Sequence, residues 1–312
     1  MPKKDPYRLG EEFTQKLTEF QRPLFLLAHH DDEIPTAGLL QRLAPRLNVV
    51  WVTNSDGLYF ESDLTPPEYA EVRKAEGIRS VGIGGVDESR TRCLDFSEVE
   101  IYRLLSRLHS GDAKIEEARP FFDKIRTAVH ETVFDLRPDA VFTLAWQGGQ
   151  PEHDLTHFFT MLALRDLEHE TGQKAAFFHC PAYEYTILVA MRFHPMYRGR
   201  RIRLRLDDSE LATKMEMVQA YPSQVRLFDD FRKVFKWVAG PIGLLTGGAR
   251  NMEDFLAVEE FGPVPEGLDY AARPHIIDRC TYMFDDFEGV PVTFRRSVRP
   301  IVKAFVQART TS

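Results

Sequence analysis

The stretch Pro23-Leu24-Phe25-Leu26-Leu27-Ala28-His29-His30-Asp31-Asp32-Glu33 decides the fold. An uninterrupted apolar run stops abruptly at ionisable residues, as expected of a buried parallel strand whose carboxyl end opens onto a site. A second run, Asn48-Val49-Val50-Trp51-Val52-Thr53, ends in the turn formers Asn54-Ser55-Asp56-Gly57. A helical stretch over about residues 67–81 follows it. The alternation continues with a helix over about 118–136, a strand at 140–146, a helix starting near His153 and a strand at 175–180. This predicts an α/β fold, a Rossmann-like and mainly parallel sheet flanked by helices. In open sheets of that kind ligands lie beyond the carboxyl ends of the strands, so residues 29–33 and 147–153 should converge.

Beyond about Arg203 the pattern is less regular. It reads as a strand, a helix near 209–220, an apolar glycine-containing stretch at 238–248 and a Pro/Gly-rich segment at 262–267. With no internal repeat, low-complexity tract or linker, we expect one domain over residues 1–312. Its core spans about 20–205, with a C-terminal elaboration at about 206–312.

Composition narrows the function classes. A hydrophobic content of 43% with 12% aromatics describes a globular chain. A formal net charge of -7 without a long Lys/Arg run argues against nucleic acid as a partner. The one basic stretch, residues 197–205, alternates charged and apolar residues in its second half and reads as a solvated strand face. Cys93, Cys180 and Cys280 are odd in number and widely spaced, which suggests neither a disulfide framework nor a thiolate metal site. No apolar leader or run of about 18 apolar residues is present, so a cytoplasmic protein with no membrane partner is expected.

The polar cluster suits a metal centre. A catalytic zinc takes three ligands from His, Asp and Glu and leaves a position for water, whose pKa then falls to about 7. His29 and Asp32 can approach one ion from a tight turn, Asp31 is close enough to take a proton from water, and His153 can close the coordination. The plainer alternative is a solvated helix N-terminus, where carboxylates cap free N–H groups.

At these residues the sequence resembles the PIG-L/LmbE-like family of zinc-dependent N-deacetylases. Its first motif, A-H-P-D-D-E, stands here as Ala28-His29-His30-Asp31-Asp32-Glu33. Its second, G-G-H-P-D-H-D in one common form, stands as Gly148-Gly149-Gln150-Pro151-Glu152-His153-Asp154. The resemblance implies that His29, Asp32 and His153 hold Zn2+ or another divalent metal and that Asp31 is the general base. Softer matches lie at Arg73-Lys74-Ala75-Glu76, at Lys214 with Tyr221-Pro222-Ser223-Gln224, and at Glu259-Glu260-Phe261-Gly262-Pro263-Val264-Pro265. Together they cover most of residues 23–270.

The sequence departs from the family at three positions. His30 replaces a proline and offers either an extra ligand or a partly exposed imidazole. Glu152 replaces an aspartate. Gln150 replaces a histidine thought to stabilise the oxyanion or protonate the amine; its amide can donate a hydrogen bond but supplies no proton. Asp31 would then have to return the proton itself. His157, one helical turn after His153, could stand in for the missing imidazole or simply pack, and Arg73 could clamp substrate or simply pair with Glu76. His179 and Tyr183-Glu184-Tyr185 border the same strand end without being diagnostic.

The expected activity is zinc-dependent removal of an N-acetyl or other N-acyl group from an amino sugar, amino-cyclitol conjugate or related small metabolite. The alternative is a family member that lacks deacetylase activity and binds a sugar-like ligand or hydrolyses a different bond. The family often forms homo-oligomers, so the resemblance leaves a homo-oligomer open.

Overall fold

The apolar run becomes β1 (Pro23–Leu27), in which every residue is buried. Its side chains alternate between two cores. Leu24 and Leu26 join one cluster, while Phe25 and Leu27 join the other, the period of two that puts neighbours on opposite faces of a sheet. A computed structural model describes residues 6–184, 189–234, 236, 249, 251–272, 282 and 286–310 of the chain.

β1 pairs in parallel with β2 (Asn48–Thr53) on one side and β4 (Ala140–Leu144) on the other. Beyond β2 lies β3 (Thr91–Phe96), and beyond β4 lies β5 (Ala176–Cys180), both parallel to their neighbours. After a two-residue ladder of β6 (Tyr183–Glu184) and β7 (Val189–Ala190), strands β8 (Ile202–Arg205) and β9 (Val258–Pro263) follow. β9 inserts between β5 and β8 and runs antiparallel to both. The order β3-β2-β1-β4-β5-β9-β8 makes a mainly parallel seven-stranded sheet.

Helices cover both faces. On one side α1 (Arg8–Lys16), α2 (Ala37–Leu43), α3 (Pro66–Ile83) and α7 (Asp208–Gln219) enclose the cluster that holds Phe25, Trp51, Phe142 and Tyr221. On the other, α4 (Glu98–Ser110), α5 (Ile115–Leu136), α6 (Pro151–Thr171) and a C-terminal helix, Arg299–Thr310, enclose Phe122, Phe158 and Phe159. α6 is buried along most of its length. That explains why its apolar pattern shows little one-sidedness.

The expected sheet is present, and the structure extends the reading in two ways. β3 had no clear signal, because it is an edge strand in which no residue is fully buried, and α4 after it was not anticipated although Ser97 caps it and Gly111 ends it. Among the described residues past 206, β9 joins the sheet, and the 262–267 segment begins inside it. The 238–248 stretch and Cys280 lie outside the described residues. No helix among the described residues is long and apolar enough to cross a membrane.

Candidate metal centre and active site

Where β1 ends, the chain turns so tightly that Asp31 adopts a φ of 112°, a conformation rare for a residue with a Cβ. Hydrogen bonds fix the turn from every side. The carboxylate of Asp32 accepts from the backbone N–H of His29 at 2.6 Å, and Glu33 accepts from that of Asp31 at 3.2 Å. The Ser55 hydroxyl accepts from the His30 N–H at 2.9 Å. Glu33 is itself buried and accepts from Ser80 at 2.6 Å and from the Tyr221 hydroxyl at 2.5 Å.

Beyond the tip of the neighbouring strand β4, Gly148 with φ 76° leads into α6, and the Asp154 carboxylate accepts from the N–H groups of Gln147 and Gly148 at 3.2 and 3.1 Å. Gln150 is the residue preceding α6 and Pro151 opens it, where a missing N–H costs nothing. His153 therefore projects from the first turn of α6 toward the β1 turn.

The two segments meet at His29, Asp32 and His153. Nδ1 of His29 lies 3.1 Å from Nε2 of His153. The Asp32 carboxylate lies 3.5 Å from the first and 3.0 Å from the second. Ligand atoms held about 2.0–2.1 Å from one tetrahedral zinc would sit roughly 3.3 Å apart, so this spacing is that of a coordination set. The charges agree. Burial disfavours the imidazolium of His29, but Glu98 and Asp32 outweigh it and lift its pKa to about 10. Burial likewise opposes the ionised form of Asp32, yet His153 and His29 hold it well below the usual carboxylate range. A site that retains a proton this strongly favours a cation, and two nitrogens and a carboxylate are suitable donors for zinc.

Asp31 stands beside this set. Burial raises its pKa, Arg73 lowers it and Asp32 raises it again, and the outcome is about 7, suited to proton transfer at neutral pH. Arg73, 2% exposed, donates to Asp31 at 2.8 Å and to the carbonyl oxygen of His30. It also donates to Glu76 and to the Ser223 hydroxyl, each at 3.2 Å. The guanidinium thus faces the β1 turn and its supports. The pair with Glu76 read from the sequence is there, joined to Asp31.

Gln150 is buried at 6% exposure, and its Oε1 has no hydrogen-bond partner among the described residues. His30 is fully buried, which corrects the expectation of a partly exposed ring. Nδ1 bonds Ser55 at 2.9 Å, and the ring lies against Trp51 at 4.6 Å, directed away from the metal set. It rests on Gly77 so closely that a Cβ there would overlap it. His157 packs, with Nδ1 on the Leu144 carbonyl at 2.8 Å and Nε2 on the Tyr270 hydroxyl at 2.9 Å. His179 bonds the Tyr197 hydroxyl through Nε2 at 2.8 Å while its Nδ1 has no partner among the described residues, and the Tyr183–Glu184 side chains and Tyr185 lie outside what is described.

One residue at the site had no sequence signal. Glu98 opens α4 just beyond the tip of β3, and its carboxylate comes within 3.7 Å of Nε2 of His29. It passes over Gly57, where any side chain would collide with it, and accepts from the Gly57 N–H at 3.2 Å. Its other side lines a cavity of about 410 Å³ with Tyr59, Phe60, Tyr102, Asp286, Phe287 and Glu288 among the walls. Recognising β3 would have placed Glu98 at a strand's carboxyl end and so among the candidates.

These features define an α/β protein whose strand tips carry a buried, metal-competent His-Asp-His set with an adjacent carboxylate. Residues 24–164 match the PIG-L family model, described as GlcNAc-PI de-N-acetylase. A deacetylase of teicoplanin biosynthesis shares the fold with 17% identity and a TM-score of 0.57, over 77% of this chain and 97% of that one. The pseudoaglycone deacetylase Dbv21 does so with 19% identity and a TM-score of 0.54, over 80% and 99%. Comparison with curated protein sequences gave no match.

Proposed function

We propose that this protein is a metal-dependent N-deacetylase that removes an acetyl or related acyl group from an amino sugar, amino-cyclitol conjugate or similar small molecule. The observation that carries this reading is the convergence of His29, Asp32 and His153 at mutual distances of 3.0–3.5 Å beside Asp31. Those three residues would hold Zn2+ or another divalent ion. When bound, the ion supplies Lewis acidity, which acidifies water and polarises an amide carbonyl.

The chain's own groups do the rest. Asp31, held by Arg73, accepts the proton of the attacking water and passes it to the departing amine. The Gln150 amide donates a hydrogen bond toward developing negative charge without giving up a proton. The cavity behind Glu98 offers aromatic faces to a sugar ring and carboxylates to its hydroxyl or amino groups.

The test is release of free amine from a panel of N-acetyl amino sugars, before and after chelation and in Asp31→Asn. Turnover that chelation abolishes, that a divalent metal restores and that falls by about 10²–10⁴-fold in Asp31→Asn supports the reading. Retention of metal without hydrolysis of any amide overturns it and favours a second reading, a binding protein for sugar-like ligands. Gln150 in place of a proton-bearing imidazole is what favours that alternative.

A further inference from the structure

His29 directs Nδ1 at Asp32 and His153, so Nε2 leaves the ring on the opposite side. There Oε1 of Glu98 lies at 3.7 Å, and one ligand atom from each of His29, Glu98 and Glu152 falls within 4.8 Å of the other two. All three residues are buried. A pair of acidic side chains would not by itself indicate a ligand. The third member, however, is an imidazole: Nε2 of His29 has no hydrogen-bond partner among the described residues, and it lies within 4.8 Å of a carboxylate oxygen of each. Both carboxylate oxygens of Glu152, at 1% exposure, are equally unmatched. Buried polar atoms are ordinarily satisfied, so an unmatched imidazole nitrogen and an unmatched carboxylate gathered beside Glu98 point to a shared partner.

We propose that Nε2 of His29, Glu98 and Glu152 form a second divalent-cation site that shares the His29 ring with the His29–Asp32–His153 set. Two carboxylates and one imidazole are a borderline-hard donor set, suited to Zn2+ or Mn2+ and unsuited to Cu(I). Coordination through both ring nitrogens displaces the remaining N–H proton of His29, and that proton leaves to solvent. Glu98 also lines the cavity of about 410 Å³. The proposal rests on the proposed function only in sharing His29.

The competing role for Glu98 is as an acceptor that orients the His29 ring and binds no ion, an arrangement common behind metal-ligating histidines. Counting ions separates the two. The full chain, stripped of metal and then equilibrated with Zn2+ and desalted, would be assayed for bound zinc per chain beside Glu98→Gln/Glu152→Gln and His153→Gln. The expected result is two ions in the wild-type chain and one in each variant, with Co2+ substitution giving two sets of absorption bands of which the carboxylate variant loses one. A single ion in the wild type, lost in His153→Gln and kept in the carboxylate variant, overturns the second site and leaves the proposed function standing. Two ions retained by the carboxylate variant overturn it equally, and no ion in the wild type overturns both readings. The wild-type count needs no variant to fold, and Glu98→Gln alone replaces the double variant if that one does not.

Discussion

Nη2 of Arg73 donates to Oδ2 of Asp31 at 2.8 Å, tying the middle of α3 to the strained turn that follows β1. The same guanidinium binds the His30 carbonyl, Glu76 and Ser223, so one buried cation fixes both the backbone and the carboxylate of the turn. Nothing else among the described hydrogen bonds holds the Asp31 carboxylate.

Arg73→Lys keeps the charge but loses the fork that reaches two partners at once. Losing a hydrogen bond to a charged group costs about 1.5–3 kcal/mol, so kcat should fall roughly 10–100-fold with a smaller change in KM. Steady-state kinetics on a hydrolysed amide would check it. An equal loss confined to KM would instead assign Arg73 to substrate, one of the two roles read from the sequence.

Gln150→His returns an imidazole able to carry a proton. If proton delivery to the amine limits the reaction, kcat should rise by about 10-fold or more, within the usual range of acid catalysis, and the pH profile should gain an acid limb. An unchanged rate and profile would show that Asp31 alone moves the proton at no cost.

Lys214 and Glu259 form an ion pair at 2.8 Å with side-chain exposures of 1% and 0%. Glu259 also accepts from the N–H groups of Gly38 and Leu39 at the start of α2, at 2.7 and 2.9 Å. Lys214→Met strands that carboxylate without its counter-charge, and urea unfolding should show a loss of about 3–5 kcal/mol. A loss below 1 kcal/mol would mean that the helix N-terminus suffices to hold Glu259.

Burial pulls His157 down to about 4, and burial also holds the neighbouring His179 well below its ordinary value. Both are neutral in the fold and protonate more readily once unfolded. Their contribution to stability is therefore whole above about pH 6.5 and drains away as the pH falls toward 4, by about 3 kcal/mol for His157. Denaturant melts from pH 7 to 4 should show this slope, and His157→Gln should flatten it; an unchanged slope in that variant would place the effect elsewhere.

The sheet was legible because β1, β2, β4 and β5 are apolar enough to announce burial on both faces. The candidate metal set was legible because its motifs fall at strand tips, where parallel sheets gather their ligands. β3 gave no such signal, being an edge strand, and with it Glu98 was hidden. The ring of His30 showed the same limit. A histidine in a polar run suggests exposure, and only the approach of Trp51, Ser55 and Gly77 from other elements buries it.

The later motifs make the division clear. Tyr221, Ser223 and Glu259 match the family as isolated letters, and their work appears only in three dimensions, where they brace Glu33, Glu76 and the start of α2. Sequence alone determined the sheet and singled out His29, Asp32 and His153 as candidates, because strand burial and short-range turns are local properties of the chain. Only the tertiary structure decided that Arg73 faces Asp31, that His157 packs and that Glu98 reaches the far side of His29. Each of those depends on the meeting of residues far apart in sequence, which no local pattern records.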